Sequence, residues 1–121
     1  MDKKGEIDQL SKIVQPDVGI ITNINFAHAK NFKNLKGIAE AKGEIINNIK
    51  KNGSIILNAD DKFFEFHRKL AIKNGVNVIS FGIKNKLANI KFLKILKLDK
   101  KYKFFIKIDN KKNYFYCIKS Q

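Results

Sequence analysis

Pro16-Asp17-Val18-Gly19-Ile20-Ile21-Thr22-Asn23 decides the fold class. The proline ends any helix before it, because the residue preceding a proline is driven out of the helical region. A short, almost unbroken apolar run follows and closes on two polar residues. A parallel strand with helices over both faces has this appearance. Ser54-Ile55-Ile56-Leu57 repeats the pattern and ends in Asn58-Ala59-Asp60-Asp61. A third run spans Val76 to Phe81, where Gly82 breaks it.

Helical spacing fills the gaps between these strands. Gly5-Glu6-Ile7 opens a short amphipathic helix with Ile7, Leu10, Ile13 and Val14 on one face. Residues 24–34 form an Asn-rich loop carrying Phe26, His28 and Phe32. From about Leu35 to Lys50, Ile38, Ala41, Ile45, Ile46 and Ile49 keep a helical period until Asn52-Gly53 stops it. A third helix, about Lys62 to Lys73, turns Phe63, Phe66, Leu70 and Ile72 inward and leaves Glu65 and His67 on its exposed side.

Beyond residue 88 the period changes to two. Ile90-Lys91-Phe92 and Phe104-Phe105-Ile106-Lys107-Ile108, with turns at Asp99-Lys100-Lys101 and Asp109-Asn110-Lys111-Lys112, predict two or three antiparallel strands. These are expected half buried, with lysines on the wet face. The fold class is α/β: a partial parallel sheet with flanking helices over 5–83 and a C-terminal antiparallel β extension over 84–121. Short βα loops predict right-handed crossovers.

The 121 residues, 44% apolar, suffice for one packed domain and not two. No apolar run approaches the ~18–20 residues of a membrane span, and no signal-peptide core opens the chain. A cytoplasmic chain without a membrane partner is expected. The lone cysteine, Cys117, excludes an internal disulfide framework and fits a reducing compartment.

The formal charge of +14 suggests nucleic acid, but Arg68 is the only arginine. Lysine is a hydrated point charge without the bidentate fork that reads bases. The lysines run throughout with abundant Asn and Ile, as a coding bias toward A and T would produce. No specific nucleic-acid partner is expected, whereas salt-sensitive, non-specific binding to polyanions is. The alternative reading is a small basic binding module whose lysine-rich hairpins contact nucleic acid or acidic surfaces.

Ligands of open α/β sheets sit beyond the carboxyl ends of the strands. Thr22-Asn23 through His28, and Asn58 through Asp61, fall there. The imidazole of His28 suits a divalent metal or a phosphate, and equally an ordinary loop histidine. Lys42, in Ala39-Glu40-Ala41-Lys42-Gly43-Glu44-Ile45, stands about 100° round from Ala41, near the edge of the inward face. A partly buried amine there is a candidate nucleophile or carbamylation site, and the bland alternative is a solvated helix lysine. Asn58, Asp60 and Asp61 suit a nucleotide or a metal. Helix capping explains Asp60 and Asp61 more simply and leaves Asn58 open. The glycines are isolated, so neither a P-loop nor a dinucleotide fingerprint can be built, and no catalytic triad or His-Glu-x-x-His word appears.

Taken together these words resemble the Mur ligase central domain. Gly5-Glu6-Ile7, Pro16 to Ile24, Ala27-His28, Phe32, Gly37 to Ile46 and Leu57-Asn58-Ala59-Asp60-Asp61 follow that family's order with matching gaps. The similarity covers residues 5–83 well and the lysine-rich tail loosely. It implies an ATP-dependent amide ligase using magnesium, nearest to members that join D-Ala-D-Ala to UDP-MurNAc-tripeptide through an acyl phosphate. By position, His28 matches a histidine that helps hold magnesium, and Lys42 the lysine that the family carbamylates into a metal ligand. Asn58 matches a strand-end asparagine near the adenine, with Asp60 and Asp61 close by, and Thr22 and Asn23 line the same strand end.

The departures are equally specific. The family's upstream P-loop and Glu-x-Gly magnesium word are absent from the 121 residues, as are the rest of the central domain and the carboxyl-terminal domain. The resemblance therefore implies a fragment: a truncated gene, a split product with a complementing chain, or an internal methionine taken as the start. Negligible ligase activity alone and an exposed, poorly soluble sheet edge are expected.

Overall fold

The computed structural model describes residues 3–25 and 33–119. The elements run α1 (Glu6–Val14), β1 (Val18–Ile21), α2 (Leu35–Gly43) continuing as a 3-10 helix (Glu44–Asn48), β2 (Ser54–Asn58), α3 (Phe64–Lys73) and β3 (Asn77–Gly82). Three longer strands follow: β4 (Ile90–Lys97), β5 (Lys101–Ile108) and β6 (Lys111–Ile118). They form one six-stranded sheet in chain order, parallel from β1 to β4 and antiparallel from β4 to β6. The parallel α/β part and the antiparallel extension are both as the sequence predicts.

Parallel strands ordinarily need a crossover of a dozen or more residues. β3 and β4 manage with residues 83–89 because only Phe81↔Ile90 and Gly82↔Lys91 pair. β4 then runs on past the end of β3, so β4–β6 extend beyond the carboxyl ends of the parallel strands.

One face of the parallel sheet carries the core. Ile21, Ile55 and Leu57 are buried there against Ile38, Ile46 and Ala71 from the helical layer. The other face differs from the expectation of strands covered on both sides: Val18 and Ile20 are 53% and 57% exposed. β1 is also the edge of the sheet among the described residues.

α1 has the expected amphipathic pattern in an unexpected orientation. Its Leu10, Ile13 and Val14 face solvent, and its one buried residue is Ser11. Polar contacts hold it instead: Asn48 Nδ2 donates to Asp8 Oδ1 and Ser11 Oγ, both at 2.9 Å, and Gly5 N donates to Glu44 Oε1 at 2.9 Å. Between α1 and β1 lies an open apolar groove of about 430 Å³ lined by Leu10, Val14, Ile20 and Ile45.

The second helix is shorter than its apolar period implies. After Gly43 it tightens into the 3-10 helix, and Glu44 N reaches both Ala41 O and Lys42 O. Glycine is a poor helix former, and the tighter i→i+3 bonding is common where an α-helix ends. The antiparallel strands are more open than expected, and β6 is exposed along its whole length.

Candidate functional site

The carboxyl ends of β1 and β2 meet beneath α2 and the loop into α3. Three successive residues after β1 are each held by a side chain from a different element. Asn58 Nδ2 donates to Thr22 O at 3.1 Å, Lys42 Nζ donates to Asn23 O at 3.0 Å, and Ile24 N donates to Asp61 Oδ2 at 2.9 Å. Thr22, Asn23, Lys42 and Asn58 are thus brought together at one rim. Lys42 is half buried, as its place at the edge of the inward face implies. His28 lies outside the described residues.

The two aspartates divide their work. Asp61 accepts from Phe63 N at 2.8 Å through Oδ1, fixing the turn that leads into α3. The Asp60 carboxylate serves no helix. It accepts the backbone N–H groups of Ile83, Lys84 and Asn85 at 2.6, 3.0 and 2.7 Å, closing the turn after β3. These N–H groups, Lys84's foremost and then Ile83's, hold its carboxyl below the usual range. Helix capping therefore fails for Asp60, whose partners lie 23 to 25 positions downstream, and only Asp61 serves the entry to α3.

His67, expected on the exposed side of α3, is 2% exposed. α3 is turned so that His67 faces α2, while Phe66 and Ile72 are 38% and 59% exposed. Its Nε2 lies 2.8 Å from Ala39 O, and a carbonyl only accepts, so the proton is on Nε2. Gly43 makes the room, since a Cβ there would stand 3.1 Å from the His67 ring. Apolar period alone favours Phe66, and the signal for His67 is the pairing of a small residue on α2 with an imidazole on α3.

Burial pushes the His67 pKa below its ordinary 6.5, opposed by the Ala39 carbonyl and Asp61 and assisted by Lys42. The unfolded chain therefore takes up a proton that the folded chain refuses. Stability is complete above pH 6.5 and falls as pH drops below that value, levelling once the folded pKa is passed. Thermal melts from pH 7.5 to 5 are expected to show this slope, and His67→Gln to lose it.

A cleft lined by Asn23, Asn58, Asp61, Phe64 and His67 has only about 10 Å³, room for one water at most. The roomier space at the rim is the open groove of about 430 Å³ beside α1, which Thr22 and Lys42 also line. Among the described residues no group of three or more His, Cys, Asp or Glu gathers to hold a metal. The rim instead offers amide and hydroxyl oxygens beside an ammonium group, which repels a cation.

A profile of the Mur ligase middle domain matches residues 1–119. The chain belongs to the Mur ligase family. It is 44% identical over 84 residues to the UDP-N-acetylmuramoyl-tripeptide–D-alanyl-D-alanine ligase of Buchnera aphidicola, a match that covers 69% of this chain and 18% of that ligase. The structure of MurF from Acinetobacter baumannii superposes with a TM-score of 0.80 and 31% identity over 94% of this chain and 24% of that one. MurF from Thermotoga maritima, determined in complex with ADP, shares the fold with a TM-score of 0.79 over 94% of this chain and 25% of its own. This Mur ligase chain therefore spans about a fifth of the length of the Buchnera ligase. No helix among its described residues is long and apolar enough to cross a membrane.

Proposed function

We propose that this chain supplies the strand-end portion of the nucleotide site of a cytoplasmic ligase that adds D-Ala-D-Ala to UDP-MurNAc-tripeptide. The reading is supported above all by the clamp of Asn58, Lys42 and Asp61 on residues 22–24, at the end of the sheet where α/β proteins hold ligands. In the reaction a substrate carboxylate oxygen attacks the terminal phosphorus of ATP and ADP departs. The dipeptide amine then attacks the acyl carbon, losing a proton, and inorganic phosphate leaves.

Within that chemistry Asn58 anchors the strand end beside the adenine, and Thr22 and Asn23 line the same approach. Asp60 acts from behind, through the turn that it closes. Magnesium, when bound, neutralises phosphate charge. His28 and Lys42 would hold it, and Lys42 fits only after carbamylation, because its ammonium donates to Asn23 O and repels a cation. The remaining strands of the site would come from the rest of a longer ligase or from a complementing chain.

The test is a transplant. Residues 5–83 of this chain replace the matching segment of the Bacillus subtilis tripeptide ligase, which is 45% identical over 65 residues, and ligation is assayed. The chimera is expected to be active. Asn58→Ala should raise the KM for ATP with little change in kcat, and Lys42→Met should lower kcat by about 10²-fold. A folded but inactive chimera, or an active one indifferent to Lys42, would refute the assignment.

A further inference from the structure

The positive charge is concentrated in one part of the fold. Residues 84–119 carry twelve lysines and two aspartates, and both aspartates sit in the turns that join β4, β5 and β6. Residues 1–83 hold thirteen basic side chains against nine acidic ones. Among the described residues the ion pairs all lie between Lys4 and Arg68, and none takes a lysine from the extension.

Register puts half of these lysines, Lys91, Lys94, Lys101, Lys103, Lys107 and Lys112, on one face. Leu96, Lys103 and Tyr116 form one rung across β4, β5 and β6; Lys94, Phe105 and Tyr114 form the next; Lys91, Lys107 and Lys112 form the third. Rungs on one face recur every two residues, about 6.8 Å. Three lysines directly opposite one another destabilise a sheet unless an anion lies across them. The ammonium groups also lie over the rings, covering one face of each: Lys103 Nζ is 4.2 Å from the Tyr114 centroid, Lys101 Nζ 4.1 Å from that of Tyr116, and Lys94 Nζ 4.7 Å from that of Phe105. Tyr114 and Tyr116 are 60% and 48% exposed.

We propose that this face binds single-stranded nucleic acid without sequence preference. The rung of Lys91, Lys107 and Lys112, with Lys103 beside it, takes the phosphates, and Tyr114 and Tyr116 take unpaired bases by stacking. A duplex hides the base faces that open rings need. Lysine in place of arginine fits phosphate contact and not base-edge reading. The surface shares no residue with the rim of Thr22, Asn23, Lys42 and Asn58, and the proposal does not rest on the ligase reading.

Fluorescence anisotropy of the whole chain with a labelled oligo(dT) 12-mer tests it. For three or four phosphate contacts, raising salt from 50 to 200 mM should weaken binding roughly 20- to 50-fold. Lys103→Glu with Lys107→Glu should weaken it at least about tenfold, whereas the charge-matched Lys51→Glu with Lys73→Glu should weaken it less than about threefold. Lys103→Gln with Lys107→Gln, checked by thermal melting, should follow the first pair and so separates lost binding from lost folding. Tyr114→Ala with Tyr116→Ala should weaken oligo(dT) about tenfold and leave an abasic oligonucleotide unchanged. Equal losses from both glutamate pairs would reduce the effect to net charge and overturn the proposal. So would equal wild-type affinity for oligo(dT) and the abasic strand, or tighter binding to phosphatidylserine vesicles through the same lysines.

Discussion

Gly53→Ala is expected to cost at least about 3 kcal/mol and to leave the domain near the limit of folding. A Cβ at this position would stand 2.5 Å from Asp17 O, 2.6 Å from Ile49 Cγ2 and 2.8 Å from Lys50 O. Two of these are backbone atoms already in use: Asp17 O accepts from Ser54 N at 2.9 Å, and Lys50 O accepts from Gly53 N at 2.8 Å. Neither can retreat without parting the start of β2 from the start of β1, where Val18↔Ser54 begins the register. Repacking cannot absorb the methyl, as it does when only a flexible side-chain end is in the way. A urea titration should show the midpoint falling steeply with an unchanged slope. A midpoint within error of wild type would mean that the turn over 50–53 relaxes freely, and that the packing argument is wrong.

Asp60→Ala is expected to release the antiparallel strands from the parallel ones. The carboxylate collects three consecutive N–H groups in the segment joining β3 to β4. Charge-assisted bonds of this kind are stronger than neutral ones, but the site is open to water, so the loss is about 2 kcal/mol. The visible consequence is local. Amide exchange should accelerate at residues 83–85 and in β4, and a protease should cut the segment, while β1–β3 stay protected. Acid should reproduce the effect. Asp60 has its folded pKa lowered, so its contribution is present above the ordinary value of 3.8 and is lost as pH falls through the folded value. Uniform protection across residues 83–97 in the alanine variant would show that Asn89, whose side chain accepts from Ser80 N at 2.9 Å, holds the junction unaided.

Much of this architecture is legible in the chain because local signals and global packing agree. Pro16 ends α1 and Gly82 ends β3, and alternation begins with β4. What escapes the sequence depends on partners far along the chain. An amphipathic pattern tells which side of α1 is apolar, and cannot tell whether anything covers Leu10, Ile13 and Val14. His67 defeats the reading of α3 because its place is made by the missing side chain of Gly43, on another helix. Asp60 resembles a helix cap because a strand-end aspartate before a helix is usually one, and its true partners start 23 residues later. At the rim, position placed Lys42 at the edge of the inward face and Asn58 at a strand end, while the clamp on residues 22–24 required the fold to bring three elements to one loop.

The flank of β1 that no described residue covers also bears on what the sheet can add. Four residues of open strand border solvent-facing Val18 and Ile20, with the apolar side of α1 alongside. An open strand edge beside apolar side chains is a template on which a further strand can pair. A strand added there would cover Val18 and Ile20 along with the edge, so one contact would satisfy both the backbone and the apolar side chains.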